Sequence, residues 1–141
     1  MIKTVTASKI YMGRLSHGSD LLQEITDLCI KKKVNLGRIE GIGAVQKARM
    51  GYFNQAVREY RYIELNQALE ITMLVGNISI KDNTPFVHAH ITLSDEKGKA
   101  FGGHLAPGTE IYACEIIVHA FEGPEFIRSL DKVTALPLWH D

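Results

Sequence analysis

Leu21, Leu22, Ile25, Leu28 and Cys29 recur three and four residues apart, the spacing of one face of an α-helix. They lie in DLLQEITDLCIKKKV (20–34), and this segment predicts the principal helix. Ser19 stands before it as a candidate N-cap, with Asp20 and Glu24 near the first turn. Lys31, Lys32 and Lys33 fall at the other end, where cations favour the dipole, and Asn35 or Gly37 can close the helix in a left-handed conformation. The rest of the chain reads in strands: TVTASKIYM (4–12), RIEGIGAVQKARMGYFN (38–54), YRYIEL (60–65), ALEITMLVGNISI (68–80), 86–94, 99–105 and IYACEIIVHAF (111–121). Gly41, Gly43 and Gly51 interrupt the second of these, which suggests bulges or a close approach of another backbone. The tail, GPEFIRSLDKVTALPLWHD, predicts a short helical turn from Glu125 and a final short strand. The pattern describes one α+β domain over 1–141, a largely antiparallel β-sheet with one principal α-helix packed on it. So many strands leave long edges to cover, and a homo-oligomer is one way to cover them.

Composition fits that picture. The chain has 141 residues, 45% hydrophobic and 23% charged, in the range of an ordinary globular domain. No stretch approaches the roughly 20 apolar residues that span a bilayer. The N-terminus, MIKTVTASKIYMGRLSHG, has no apolar signal-peptide core, so a cytoplasmic location without membrane association is expected. Cys29 and Cys114 fall inside apolar segments as small hydrophobes, and no disulfide is expected between them. Sixteen basic and sixteen acidic side chains cancel. Non-specific DNA binding draws on a surplus of Lys and Arg, so nucleic acid is possible but unsupported by charge. The run of lysines at 31–33 is explained by its place at a helix end. Nor is the GIG at 41–43 a dinucleotide fingerprint, because no third glycine and no helix follow it.

The chemistry concentrates in PFVHAHITLSDEKGKAFGGH (85–104), which holds three of six histidines. On a strand His88, His90 and Thr92 share one face, while Ala89, Ile91 and Leu93 share the other, apolar one. If Glu96, Lys97 and Gly98 form a three-residue hairpin loop with Gly98 left-handed, Asp95 pairs with Lys99 and His90 lies directly across from His104. A bulge at Gly102 or Gly103 would shift that pairing by one residue. In the unshifted register His88, His90 and His104 converge as the ligands of a catalytic-type zinc site, with a fourth position free. Imidazole suits nickel, copper and iron as well, so the geometry calls for a divalent metal ion before it calls for zinc. The other three histidines are weaker candidates: His17 lies in a turn-like SHGS, His140 in the terminal segment, and His119, on a strand face with Ile117 and Glu115, reads as structural. Glu115 interrupts an apolar run on an expected central strand, where it could orient a ligating histidine, act as a base or pair with a cation. Arg38, Glu40 and Arg49 are further charged candidates without a ranking.

The stretches GIGAVQKARMGYF (41–53), GNIS (76–79), PFVHAHITLSDEKGKAFGGHL (85–105) and ACEIIV (113–118) resemble the stand-alone prokaryotic form of the PPC domain, the plants and prokaryotes conserved domain. The resemblance runs the length of the chain. It implies an α+β fold, a homotrimer, and a metal, zinc in particular, at the histidines matching His88, His90 and His104. In plants the domain is joined to AT-hooks in nuclear DNA-binding proteins, and prokaryotic members carry a DNA-binding label by association. This chain has no AT-hook and no basic excess. The fold also looks similar to that of acetolactate decarboxylase, a three-histidine zinc enzyme whose third histidine is spaced differently. The sequence therefore leads to a homotrimeric PPC-domain protein with a three-histidine metal site. A metal-dependent hydrolase or decarboxylase, and a DNA-associated or protein-scaffolding module, are the alternatives.

Overall fold

The computed structural model describes residues 1–140; Asp141, the last residue of the expected domain, lies outside them. In chain order the elements are β1 (Thr6–Leu15), α1 (Leu21–Lys32), β2 (Gly37–Asn54), β3 (Glu59–Leu65), β4 (Leu69–Lys81), β5 (Thr84–Ser94), β6 (Ala100–Leu105), β7 (Glu110–Glu122), β8 (Ile127–Leu130) and β9 (Pro137–His140). All nine strands join one sheet, antiparallel except where β8 meets β4. This is the expected α+β architecture.

Helix α1 buries Leu21, Ile25 and Cys29. It lies against β1 and also against β5. Those strands stand at opposite ends of the run β1–β7–β2–β4–β5, so the sheet curls around the helix. Both caps differ from expectation. The N-cap is Asp20 rather than Ser19: its Oδ1 accepts from the Gln23 N–H at 2.9 Å, and its Oδ2 accepts from Gly108 N–H at 2.6 Å. The two carboxylate oxygens serve one backbone donor each. The left-handed C-cap is Lys33, at φ 55°, rather than Asn35 or Gly37. The chain must reverse at once, because Val34 is buried and returns its N–H to Cys29 O at 2.9 Å. Asp20→Ala removes both bonds, the helix cap and the tie to the β6–β7 loop. It is expected to cost about 2 kcal/mol in urea unfolding.

Strand β2 is shared by two halves of the sheet. Gly37–Val45 pairs with β4 on one side and β7 on the other, while Ala48–Asn54 pairs with β3, and Met50 and Gly51 reach β6. With β4–β5 and β5–β6 also paired, β2, β4, β5 and β6 close a circuit. Val45, Met50, Ile71, Leu74, Ile91, Leu93 and Leu105 are buried in the resulting core.

The tail corrects another expectation. No helical turn begins at Glu125; β8 and β9 form a hairpin beside β4. The reason is period two: Phe126 and Arg128 both point inward, at 8% and 7% exposure, while Ile127 and Ser129 point out. Both cysteines are buried free thiols, and burial pushes Cys29 up to about 12 and Cys114 up to about 11, which leaves them inert. Among the described residues no helix is long and apolar enough to cross a membrane.

Candidate metal centre

On β5 the alternation falls as the residue types require. Val87, Ala89, Ile91 and Leu93 are buried, while His88, His90 and Thr92 take the other face. The hairpin that follows fixes the third histidine. Asp95 N–H donates to Lys99 O at 3.1 Å, Asp95 Oδ1 accepts from the N–H groups of Lys97 and Lys99, and Gly98 sits at φ +76°. The register follows without a bulge: Ser94 pairs with Ala100, Leu93 with Phe101, Thr92 with Gly102, Ile91 with Gly103, and His90 with His104.

The three rings meet. Their centroids stand 5.3 Å apart for His88 and His90, 5.0 Å for His88 and His104, and 5.6 Å for His90 and His104. One nitrogen from each lies within 4.8 Å of the other two. Zinc ligands at tetrahedral positions stand about 3.3 Å apart, a contraction within the reach of side-chain rotation on fixed strands. His104 Nδ1 is buried and has no hydrogen-bond partner among the described residues, an arrangement that costs free energy until something satisfies it. Three imidazole nitrogens, with a further buried nitrogen left without a partner, suit a borderline-soft divalent cation.

The charge state suits it as well. Burial, and then the neighbouring charges of His104, Arg128 and His90, push His88 down to about 4. Burial, then His90 and Arg128, also lower His104. Both rings are therefore neutral at pH 7, the form that binds metal. A stability consequence follows for the metal-free protein. Between pH 6.5 and 4 the unfolded chain takes up a proton that folded His88 refuses, and His104 acts in the same direction, so stability rises with pH across that window. Thermal melts of chelator-treated protein are expected to be level above pH 6.5 and to fall as pH drops towards 4. His88→Gln should flatten part of that slope.

Neighbouring strands wall the site. Tyr60 on β3 lies with its ring 5.2 Å from that of His104. Gly51 pairs with His104 on one side and Tyr62 on the other, and a Cβ there would meet Tyr60 Cδ1 at 2.9 Å. Glycine leaves room for the phenol ring beside the imidazole. Across β4, Asn77 stands directly opposite His88, and Arg128 from the tail donates to it. A recess over His88 and His90 is bordered by Arg38, Asn77, Trp139 and the N-terminal Ile2, Lys3 and Val5.

The remaining candidates separate from this site. Glu115 is exposed on β7, opposite Arg14 on β1 and Ile42 on β2. It lies three strands from β5, about 14 Å across the sheet, so it cannot orient a ligating histidine. The expected burial fails because the face of β7 away from the helix is open. His17 Nδ1 bonds Tyr112 O at 2.8 Å, and His140 Nε2 bonds Ser129 O at 3.0 Å within the tail hairpin. His119 sits on β7 opposite Arg38 and Ile10, outside the cluster. Arg38 pairs with Glu40 at 3.0 Å, and Arg49 pairs with Glu64 while its guanidinium covers Tyr62 at 3.8 Å. Sequence reasoning missed Tyr60, Asn77 and Arg128. Only Arg128 left a signal, its inward phase with Phe126.

Residues 2–122 match the profile of the Plants and Prokaryotes Conserved (PCC) domain. Among solved structures, the metal-containing protein AF0104 of Archaeoglobus fulgidus superposes with a TM-score of 0.95 at 37% identity, covering 100% of this chain and 99% of that one. The plant- and prokaryote-conserved (PPC) protein of Pyrococcus horikoshii gives 0.93 at 36% identity, covering 98% and 95%. A candidate DNA-binding protein of Bacteroides thetaiotaomicron gives 0.87 at 24% identity, covering 96% of each, a likeness of fold. The chain is also 34% identical over 129 residues to the bifunctional protein GlmU of Synechococcus sp. (strain JA-2-3B'a(2-13)). That stretch is 89% of this chain and 19% of that protein, so the chain spans about a fifth of the curated relatives it matches.

Proposed function

The chain belongs to the Plants and Prokaryotes Conserved domain family, and from that premise we propose a homotrimeric metal-binding protein in which His88, His90 and His104 hold zinc. The observation that carries the reading is the convergence of three imidazole nitrogens within 4.8 Å, one ring having a buried Nδ1 without a partner. The metal-containing relative from Archaeoglobus, similar over its whole length, supports it. A zinc ion on three protein ligands keeps an open position and supplies Lewis acidity there. The recess above His88 and His90 gives that position access to small molecules, which favours a hydrolase or decarboxylase as the second reading. DNA association has less behind it: the net charge is zero, and the relative with that description shares the fold at 24% identity.

The trimer has a surface to use. The open face of β1, β2 and β4 exposes Met12, Ile42 and Met73, bordered by Arg14 and Arg38 and by Glu40 and Glu115. An apolar patch rimmed by both signs of charge suits a second copy of the chain. Tail residues 127–140 add a hairpin to the same sheet, and we assign the whole chain to one domain. The test is elemental analysis of untagged protein purified without chelator, with its mass in solution measured alongside. Close to one zinc per chain in a three-chain particle is expected. A chain that stays empty after zinc is added overturns the reading.

A further inference from the structure

Arg128 is 7% exposed, yet among the described residues no carboxylate lies within ion-pair distance of it. Its partners are all neutral. Nε donates to Ser79 Oγ at 2.7 Å, Nη1 to Pro137 O at 2.8 Å and Nη2 to Asn77 Oδ1 at 2.7 Å. The guanidinium also sits against the rings of Phe86 and Trp139, 5.3 and 5.2 Å from their centroids. A buried cation without a counter-charge is costly, and guanidinium does not shed its proton to escape the cost. Among the described residues nothing negative faces it.

The bond to Asn77 says where that charge belongs. Arginine has donors only, so the amide atom facing it must be Oδ1, and the Asn77 Nδ2 group is turned to donate elsewhere. Asn77 lies directly across from His88 and borders the recess that His88 and His90 enter. Among the described residues that recess contains no Asp or Glu, but it does contain Lys3 and Arg38. The three imidazoles bring no negative charge either. The walls include Ile2, Val5, Phe121 and Trp139, apolar surface that suits a carbon chain better than an inorganic ion.

We propose that Asn77 and Arg128 form an oxyanion subsite of the three-histidine centre, and that the ligand of the open metal position is a small carboxylate with an apolar tail. One carboxylate oxygen faces the metal, and the other accepts from Asn77 Nδ2, whose amide Arg128 holds and polarises. The inference rests on the metal reading above and names the class of molecule that site takes.

Cobalt(II) in place of zinc tests it, because its visible bands respond to the fourth ligand. Wild-type protein carrying cobalt is titrated with butyrate and with butyramide, a neutral molecule of similar shape. Butyrate is expected to shift the bands at a concentration at least tenfold lower. Asn77→Asp keeps an acceptor for Arg128 but presents a negative group to the recess. It is expected to bind cobalt and to require at least tenfold more butyrate. Equal responses to butyrate and butyramide in the wild type, or unchanged butyrate binding by Asn77→Asp, overturn the subsite while leaving the metal centre standing. Absence of cobalt bands in the wild type overturns both. If Asn77→Asp does not fold, Asn77→Ser, which shortens the donor out of reach, takes its place with the same expected loss of butyrate affinity and the same overturning result.

Discussion

The His88→Ala, His90→Ala double variant is expected to carry almost no metal, against an expected value close to one zinc per chain for the wild type. Zinc on protein ligands gains roughly 3 kcal/mol or more from each, so loss of two lowers affinity on the order of ten-thousand-fold. The fold should survive, because both side chains leave β5 on the face away from the core: His90 is exposed and His88 half-buried. Unchanged circular dichroism beside an empty site is therefore the expected pair of results. Metal retained by the variant would show that the ion sits elsewhere. Added zinc should raise the melting temperature of the wild type and leave that of the variant unmoved.

Gly43→Ala is expected to be the most damaging single methyl group that the chain can receive on β2. Gly43 lies at φ +144°, outside the range that L side chains adopt, where β2 runs between β7 and β4. A Cβ there would collide with the carbonyl oxygen of Ala113 and stand 2.9 Å from Cys114 Cα, both backbone atoms of a paired strand that cannot rotate away. The register with β4 already shifts between Gly41 and Gly43, and that bulge depends on the same conformation. Strain and clash together should cost about 4 kcal/mol, out of a total of about 5–15 kcal/mol for a domain. The expected drop in melting temperature is roughly 10–15 °C, or failure to accumulate as soluble protein. Gly13→Ala is the control, with nothing within 4 Å of the added carbon and an expected change within about 0.5 kcal/mol. A Gly43→Ala protein as stable as that control would mean the strands can part without loss.

The β5–β6 hairpin was readable from its residues because every determinant is local. Asp95 and Gly98 specify the loop, alternation specifies the face, and together they place His104 opposite His90. The helix was readable for the same reason, and its caps less so. Whether Ser19 or Asp20 caps depends on Gly108, 88 residues further on, and that contact has no trace in the neighbouring sequence. Glu115 misled for a different reason. An apolar run around a carboxylate looks like the interior of a sheet covered on both faces, whereas β7 is covered by α1 and its surroundings on one face only. Tyr60, Asn77 and Arg128 lie on three other strands, and only the circuit of β2, β4, β5 and β6 and the return of the tail bring them beside the histidines. Arg128 also occupies an inward position of a type that sequence patterns reserve for apolar residues, so the alternation in EFIRSL reads as broken when it is intact.

The direct opposition of His90 and His104 makes the site depend on parity. Opposed residues of antiparallel strands share a face, and a slip of one place exchanges the faces. Had the strands paired one step out of phase, His104 would enter the core and Leu105 would take its place outside. Substitutions along β5 and β6 alter the site by degrees, but an odd insertion within either strand, unless a bulge or the loop absorbs it, deletes a ligand while every histidine remains in the sequence. A comparison of homologues that counts histidines would score such a chain as intact; one that counts residues between Asp95 and the third histidine would not.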